Sequence, residues 1–188
     1  MIYELLVLSL LMHWPLHVHR LAKIANDILE IEEQISTSTF STLLKRLLHA
    51  GFVAPHTGPT PFPIDKSSNI YAVTPAGRER FLALMLDTTS PPASYRKIFH
   101  IKALHLEFLP IENQLYLLED YLAYCRQIVR SKDIDIQDIA VDPRKKNHMS
   151  PAFQEAAASF MRLKADRWQL ELTWALSLRE HISARFQR

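Results

Sequence analysis

This chain of 188 residues has one cysteine, three glycines and no apolar run longer than Leu5 to Met12. The solitary Cys125 excludes an internal disulfide framework and suits a reducing, cytoplasmic setting. Gly51, Gly58 and Gly77 cannot supply the spacing of GxGxxG or of a Walker-type loop, which excludes the common nucleotide-phosphate cradles. The apolar run falls well short of the roughly 20 residues needed to cross a bilayer. It also lacks the basic flank and small-residue cleavage site of a signal peptide, so no membrane association is expected. An excess of one charge is missing too: 22 Lys and Arg stand against 20 Asp and Glu, and a net +2 names no partner by itself.

Catalytic and metal-binding patterns are equally scarce. Among nine histidines, His17 and His19 lie two apart and His100 and His105 five apart. Neither pair has the i, i+4 spacing that places two ligands on one helical face. No nucleophile, base and orienting acid fall into a recognisable motif. The expectation is a protein that is not an enzyme, with no catalytic residues, no metal and no cofactor.

What is present is helical periodicity punctuated by proline. Residues 4–12 read as a short central helix, apolar nearly all round, ended by Trp14-Pro15, with Trp14 as a core plug. Leu21, Ile24, Ala25, Ile28 and Leu29 mark a second helix. In the stretch Ser36 to Val53, Phe40, Leu43, Leu44, Leu47 and Leu48 mark a third, and Gly51 supplies its left-handed stop. This third helix opens with six hydroxyl residues around Phe40, types that suit a helix interior poorly. Ser36 or Ser38 serves as its N-cap. Phe52–Pro55 and Ile70–Val73 read as short strands either side of a proline-rich loop, and Thr74-Pro75 begins another helix. Helix, helix, helix, strand, loop, strand, helix is the order of a winged helix-turn-helix, whose third helix enters the DNA major groove. On that architecture the candidate DNA contacts are Ser38, Thr39, Ser41, Thr42, Lys45 and Arg46 on the third helix, and Lys66 in the hairpin loop. A capped amphipathic helix with a solvated face accounts for the same residues without DNA. Residues 1–90 carry seven Lys or Arg against eight Asp or Glu, so each reader is expected to bind weakly and salt-sensitively.

Three segments, YELLVLSLLMHWPLHVHRLAKI, STSTFSTLLKRLLHAGFV and IYAVTPAGRERF, resemble in order and spacing those of PadR-type transcriptional regulators. Pro15, Leu16, His17, Leu21, Thr39, Leu44, Lys45, Arg46, Leu47, Gly51, Tyr71, Thr74 and Gly77 fall on matching positions. Ser41 and Thr42 stand where the family usually has tyrosine and proline. The resemblance covers the first 85 residues and implies a winged-helix DNA-binding regulator, with small aromatic compounds as possible effectors.

Ser90-Pro91-Pro92 marks a plausible boundary, giving a reader domain over 1–90 and a second domain over 91–188. Residues 95–109 read as a helix, and Pro110 opens another. Ile111, Leu115, Leu118, Leu122, Cys125 and Val129 then alternate by four and three, the seam of a coiled coil and a candidate dimerisation surface. A polar loop is expected from about 131 to 150, including the solvated run Arg144-Lys145-Lys146. Residues 151–187 follow as one helix of roughly 50 Å, longer than a small domain needs without a second chain. FHIKALHLEFLP and the leucine-rich acidic helix after it resemble the virulence-activator type of C-terminal domain in one PadR subgroup, which implies a helical dimer interface. Phe160, Trp168 and Trp174 are the candidate effector contacts; simple packing is the competing account.

Together these observations predict a mainly α protein with a small β-hairpin wing: a winged helix-turn-helix plus a helical C-terminal dimerisation domain. The expected function is a cytoplasmic, dimeric regulator of transcription, most simply a repressor on double-stranded DNA with two half-sites. The alternative is a protein-interaction module that keeps the winged fold without binding DNA.

Overall fold

The run from Leu5 to Leu11 has no charged side to turn toward water, and the fold buries every residue of it. The structure is a computed structural model that describes residues 2–58, 69–141 and 149–186. The chain divides into a first unit, Met1–Leu109, and a second, Pro110–Arg188. In the first, α1 (Ile2–His13) is buried from Leu5 through Leu11. Around it pack α2 (Val18–Ile28), α3 (Thr37–His49), strand β3 (Ile70–Val73), α4 (Pro75–Leu86) and α5 (Pro92–Ala103). Ser9 lies inside this core without cost, because its hydroxyl donates to the Leu6 carbonyl at 2.9 Å.

The sheet has three antiparallel strands in the order β1-β3-β2, with β1 at Leu16–His17 and β2 at Val53–His56. Val53 faces Val73 and His56 faces Ile70 on one side of β3, and Leu16 faces Tyr71 on the other. The architecture is the winged helix-turn-helix that the element order implied. Strand β1 was not legible, since two residues cannot show an alternation. It also corrects the reading of Trp14. Pro15 turns the chain so that Leu16, 2 % exposed, plugs the core, while Trp14 stays 42 % exposed with its ring 5.0 Å from that of His13.

Helix α3 ends where Gly51 takes a φ of 74°. Thr74 locks the start of α4 onto that turn: its hydroxyl donates to the Gly51 carbonyl at 2.6 Å and accepts from the Gly77 N–H at 3.0 Å. A Cβ on residue 77 would collide with the Phe52 carbonyl, so glycine is required there. At the other end of α4, the buried Lys102 ammonium donates to the Asp87 carbonyl at 2.6 Å, a favourable charge at a helix C-terminus. The Pro91-Pro92 doublet is therefore not a domain boundary. Pro92 opens α5, whose Tyr95, Ile98, Phe99 and Ile101 are buried in the first unit, and the division falls after Leu109.

The second unit is an antiparallel pair, α6 (Ile111–Val141) and α7 (Pro151–Phe186). The buried Tyr121 hydroxyl donates to Glu171 Oε1 at 2.6 Å, and Arg179 Nη1 meets Glu119 Oε1 at 3.0 Å. The helix expected to stop near 131 runs on to Val141, because no glycine or proline interrupts it before residue 143. Leu118, Leu122 and Cys125, three of the six seam residues, have no exposed surface in the single chain. That corrects their assignment to dimerisation, since a side chain already out of water adds no area to an association. Ile111, Leu115 and Val129 keep partial exposure. Burial pushes the Cys125 thiol up to about 11, so it is a packed thiol, not a thiolate. No helix among the described residues is long and apolar enough to cross a membrane.

Two polar contacts fix the first unit at points where apolar packing gives no direction. Asn26 on α2 donates from Nδ2 to the Ile35 carbonyl at 2.9 Å and accepts from the Ile35 N–H at 2.8 Å, pinning the turn that leads into α3. His13, at the end of α1, shares a 3.0 Å hydrogen bond between its Nε2 and Nδ1 of His105. Its own Nδ1 lies 3.6 Å from Glu107. The buried Nε2 of His105 has no hydrogen-bond partner among the described residues. Burial first, and the neighbouring His13 second, lower the His105 pKa to about 4.

Asn26→Ala leaves both Ile35 groups without their partner and is expected to cost about 1–3 kcal/mol in urea unfolding. His105 predicts a second outcome. Its imidazole takes a proton below about 6.5 in the unfolded chain but only near 4 in the folded one. The unfolded state is thus the better base between those values. The contribution is full above pH 6.5 and is lost as pH falls toward 4, by at most about 3 kcal/mol. Urea midpoints at pH 7 and pH 4.5 should fall apart for the wild type and converge for His105→Leu.

Candidate nucleic-acid interface

Helix α3 begins on a hydroxyl. Ser36 is the N-cap, its Oγ accepting from the Thr39 N–H at 3.2 Å. The same oxygen lies 2.8 Å from Ser38 Oγ and 2.9 Å from Thr39 Oγ1, so three of the six hydroxyls form one local network. The next two turn back on the helix: Ser41 donates to the Thr37 carbonyl at 2.9 Å and Thr42 to the Ser38 carbonyl at 3.0 Å. Their protons are therefore committed to the backbone, while lone pairs remain for a donor outside.

Phe40, Leu44 and Leu47 anchor the helix in the core. At about 100° per residue, Ser38, Thr42, Lys45 and His49 form the stripe directly opposite that core face. All four are exposed. Thr39 and Arg46 lie on one shoulder of the stripe and are exposed as well. Ser41 sits on the other shoulder, half-buried, and does not join it. His49 was missed in reading the sequence, although its spacing of 4, 3 and 4 along Ser38, Thr42, Lys45 and His49 was available there. Lys66 belongs to residues 59–68, outside the described residues.

Neither Lys45 nor Arg46 has an ion-pair partner among the described residues. Two acids of the first unit are engaged elsewhere. Glu33, just before α3, pairs with Lys97 of α5. Glu4 of α1 accepts from Arg80 Nε at 2.7 Å. The first helix of the motif adds basic groups, with His19, Arg20 and Lys23 exposed on α2 and His17 capping it through Nδ1, 3.3 Å from the Arg20 N–H. Among the described residues no three His, Cys, Asp or Glu side chains converge as metal ligands.

The three aromatics suggested for an effector all lie on α7. Trp168 packs against Tyr124 of α6, ring centres 5.6 Å apart. Phe160 and Trp174 are 53 % and 39 % exposed. The Lys164 ammonium lies 4.4 Å over the Phe160 ring.

No family model matches the chain, and no curated protein matches it either. Among solved structures it is similar to PadR of Bacillus subtilis in complex with operator DNA, at 17% identity and a TM-score of 0.43, over 97% of this chain and 99% of that one. It is likewise similar to Bacillus subtilis PadR in complex with p-coumaric acid, at 16% identity and a TM-score of 0.42, over 97% and 99%.

Proposed function

We propose that this protein is a DNA-binding regulator of transcription that acts as a homodimer and represses by occupying a promoter. The observation that carries the reading is the outward stripe of α3. A helix anchored by three core side chains and a capped, pinned N-terminus presents hydroxyls, Lys45, Arg46 and His49, all exposed among the described residues. Cations beside hydroxyls on one rigid helix suit phosphates and base edges, and the basic face of α2 suits the flanking backbone. The motif resemblance of the first 85 residues points the same way.

Dimerisation in this reading uses α7. Phe153, Ala156, Phe160, Leu163, Leu170 and Trp174 are all exposed or half-buried and follow a heptad rhythm, with Arg167 at the one polar step. At about 54 Å for its 36 residues, this helix offers a second copy a long apolar seam, and Ile111, Leu115 and Val129 add to it from α6. Two copies related by a twofold axis then present two α3 helices to two half-sites. Phe160 and Trp174 fall inside that seam.

The balance of −1 over residues 1–90 favours a second reading, a winged fold that docks on protein. Fluorescence anisotropy with DNA from upstream of this protein's own gene, against a scrambled duplex, separates the two. Preference for the native DNA is expected. Replacing Thr42, Lys45 and Arg46 together by alanine should weaken binding about 100-fold or more and lower the salt slope by about 2 per reader. Unchanged affinity in that variant would remove α3 from the interface, and no binding even at low salt would leave the protein-docking reading. Leu163→Asp with Leu170→Asp should yield monomers by sedimentation and weaken DNA binding with them. A dimer that survives both charges would place the contact elsewhere.

A further inference from the structure

The outward stripe of α3 ends on an imidazole, whereas its other cations, Lys45 and Arg46, carry permanent charge. His49 closes the stripe begun by Ser38, Thr42 and Lys45 and is exposed. Its side chain makes no hydrogen bond or ion pair among the described residues. We propose that His49 takes up a proton when α3 meets DNA, so that affinity for DNA rises as pH falls from about 8 to about 6. The proposal rests on α3 being the DNA-reading helix.

The chemistry of the two partners sets the direction. A phosphate oxygen only accepts hydrogen bonds, while a neutral imidazole has one N–H and one lone pair. A proton turns that lone pair into a second donor and adds a full positive charge. Position suits the charge as well: His49 is the last residue of α3, beside the unpaired carbonyls at the negative end of the helix. Lys45 and Arg46 of α3 and Glu4 of α1 line one space with His49. Among the described residues α2 and β2, which also pack on α3, add no charged or titratable side chain to it. Glu4 is held by Arg80 at 2.7 Å. The two cations of α3 therefore repel a proton on His49 in the free protein, and phosphates brought against them cancel that repulsion. Charging is coupled to contact.

Imidazoles on the neighbouring elements are placed differently. His17 uses its Nδ1 lone pair to accept from the Arg20 N–H at 3.3 Å, so a proton there would break the cap of α2. His19, its ring centre 6.2 Å from that of His17, sits in the first turn of α2, the end of a helix where positive charge is unfavourable. His56 ends β2 and is half-buried.

The test is fluorescence anisotropy of the full chain with the duplex from upstream of its own gene, at pH 6 and pH 8 and at several salt concentrations. The wild type is expected to bind about fivefold tighter per reader at pH 6, with a salt slope steeper by about 1. Titration calorimetry at pH 7 in two buffers of different ionisation heat should show protons taken up on binding. His49→Gln should remove both the pH response and the uptake. His49→Lys should bind at pH 8 as tightly as the wild type does at pH 6, and His19→Gln should keep the wild-type ratio between the two pH values. His105 takes its proton only near 4, so the fold holds at both, which circular dichroism checks. Binding that is equal at pH 6 and pH 8, or a pH response that survives His49→Gln, would overturn the proposal and leave the DNA reading standing. No binding at either pH, even at low salt, would overturn both.

Discussion

A helix with no solvent face constrains everything around it. Because α1 is buried from Leu5 through Leu11, each neighbour must turn an apolar side toward it, and α2, α3, α4, α5 and β3 all do. Such burial drives collapse but is nearly directionless, since dispersion and the hydrophobic effect hardly distinguish one rotation of a neighbour from another. Direction comes from a few hydrogen bonds at the rim of the core: Asn26 to Ile35, Thr74 to Gly51, and Lys102 to Asp87. Each joins a side chain to a backbone group at the start or end of a helix, where unpaired donors and acceptors are available.

What could be read in advance follows from the range of the chemistry involved. The Ser36 and Thr74 caps, Pro75 and the Gly51 stop are decided within one helical turn, and the sequence shows them plainly. The Asn26 clamp was not legible because its partner lies nine positions on and offers only backbone atoms. A proline doublet indicates a break in regular structure, yet it does not say whether the next helix returns to the same core, and α5 does. The heptad of α6 shows the same limit. A 3-4 rhythm reveals that a face will be covered without naming the cover, and α7 of the same chain lies along it.

At the candidate interface, outward placement was legible for five of the six residues assigned to α3, and failed for Ser41 by its rotation about the helix axis. The fate of the hydroxyl protons was beyond reach, because Ser and Thr choose between solvent and the carbonyl one turn back according to rotamer. Average charge does not show where the charges are paired. The balance of −1 over residues 1–90 treats all charges alike, whereas Glu4 and Glu33 sit in pairs with Arg80 and Lys97, and Lys45 and Arg46 have no such partner among the described residues. Local pairing decides the field that a phosphate meets far more than the sum does.

The Asn26 clamp and the Ser36 cap hold α3 through main-chain atoms, and Phe40, Leu44 and Leu47 hold it from beneath. None of these contacts uses the side chain of Lys45, Arg46 or His49. Substitutions at those positions should therefore change stability by only a few tenths of a kcal/mol each. The frame that aims the helix is thus separate from the side chains it displays, so the chemistry of that face can change while its direction does not.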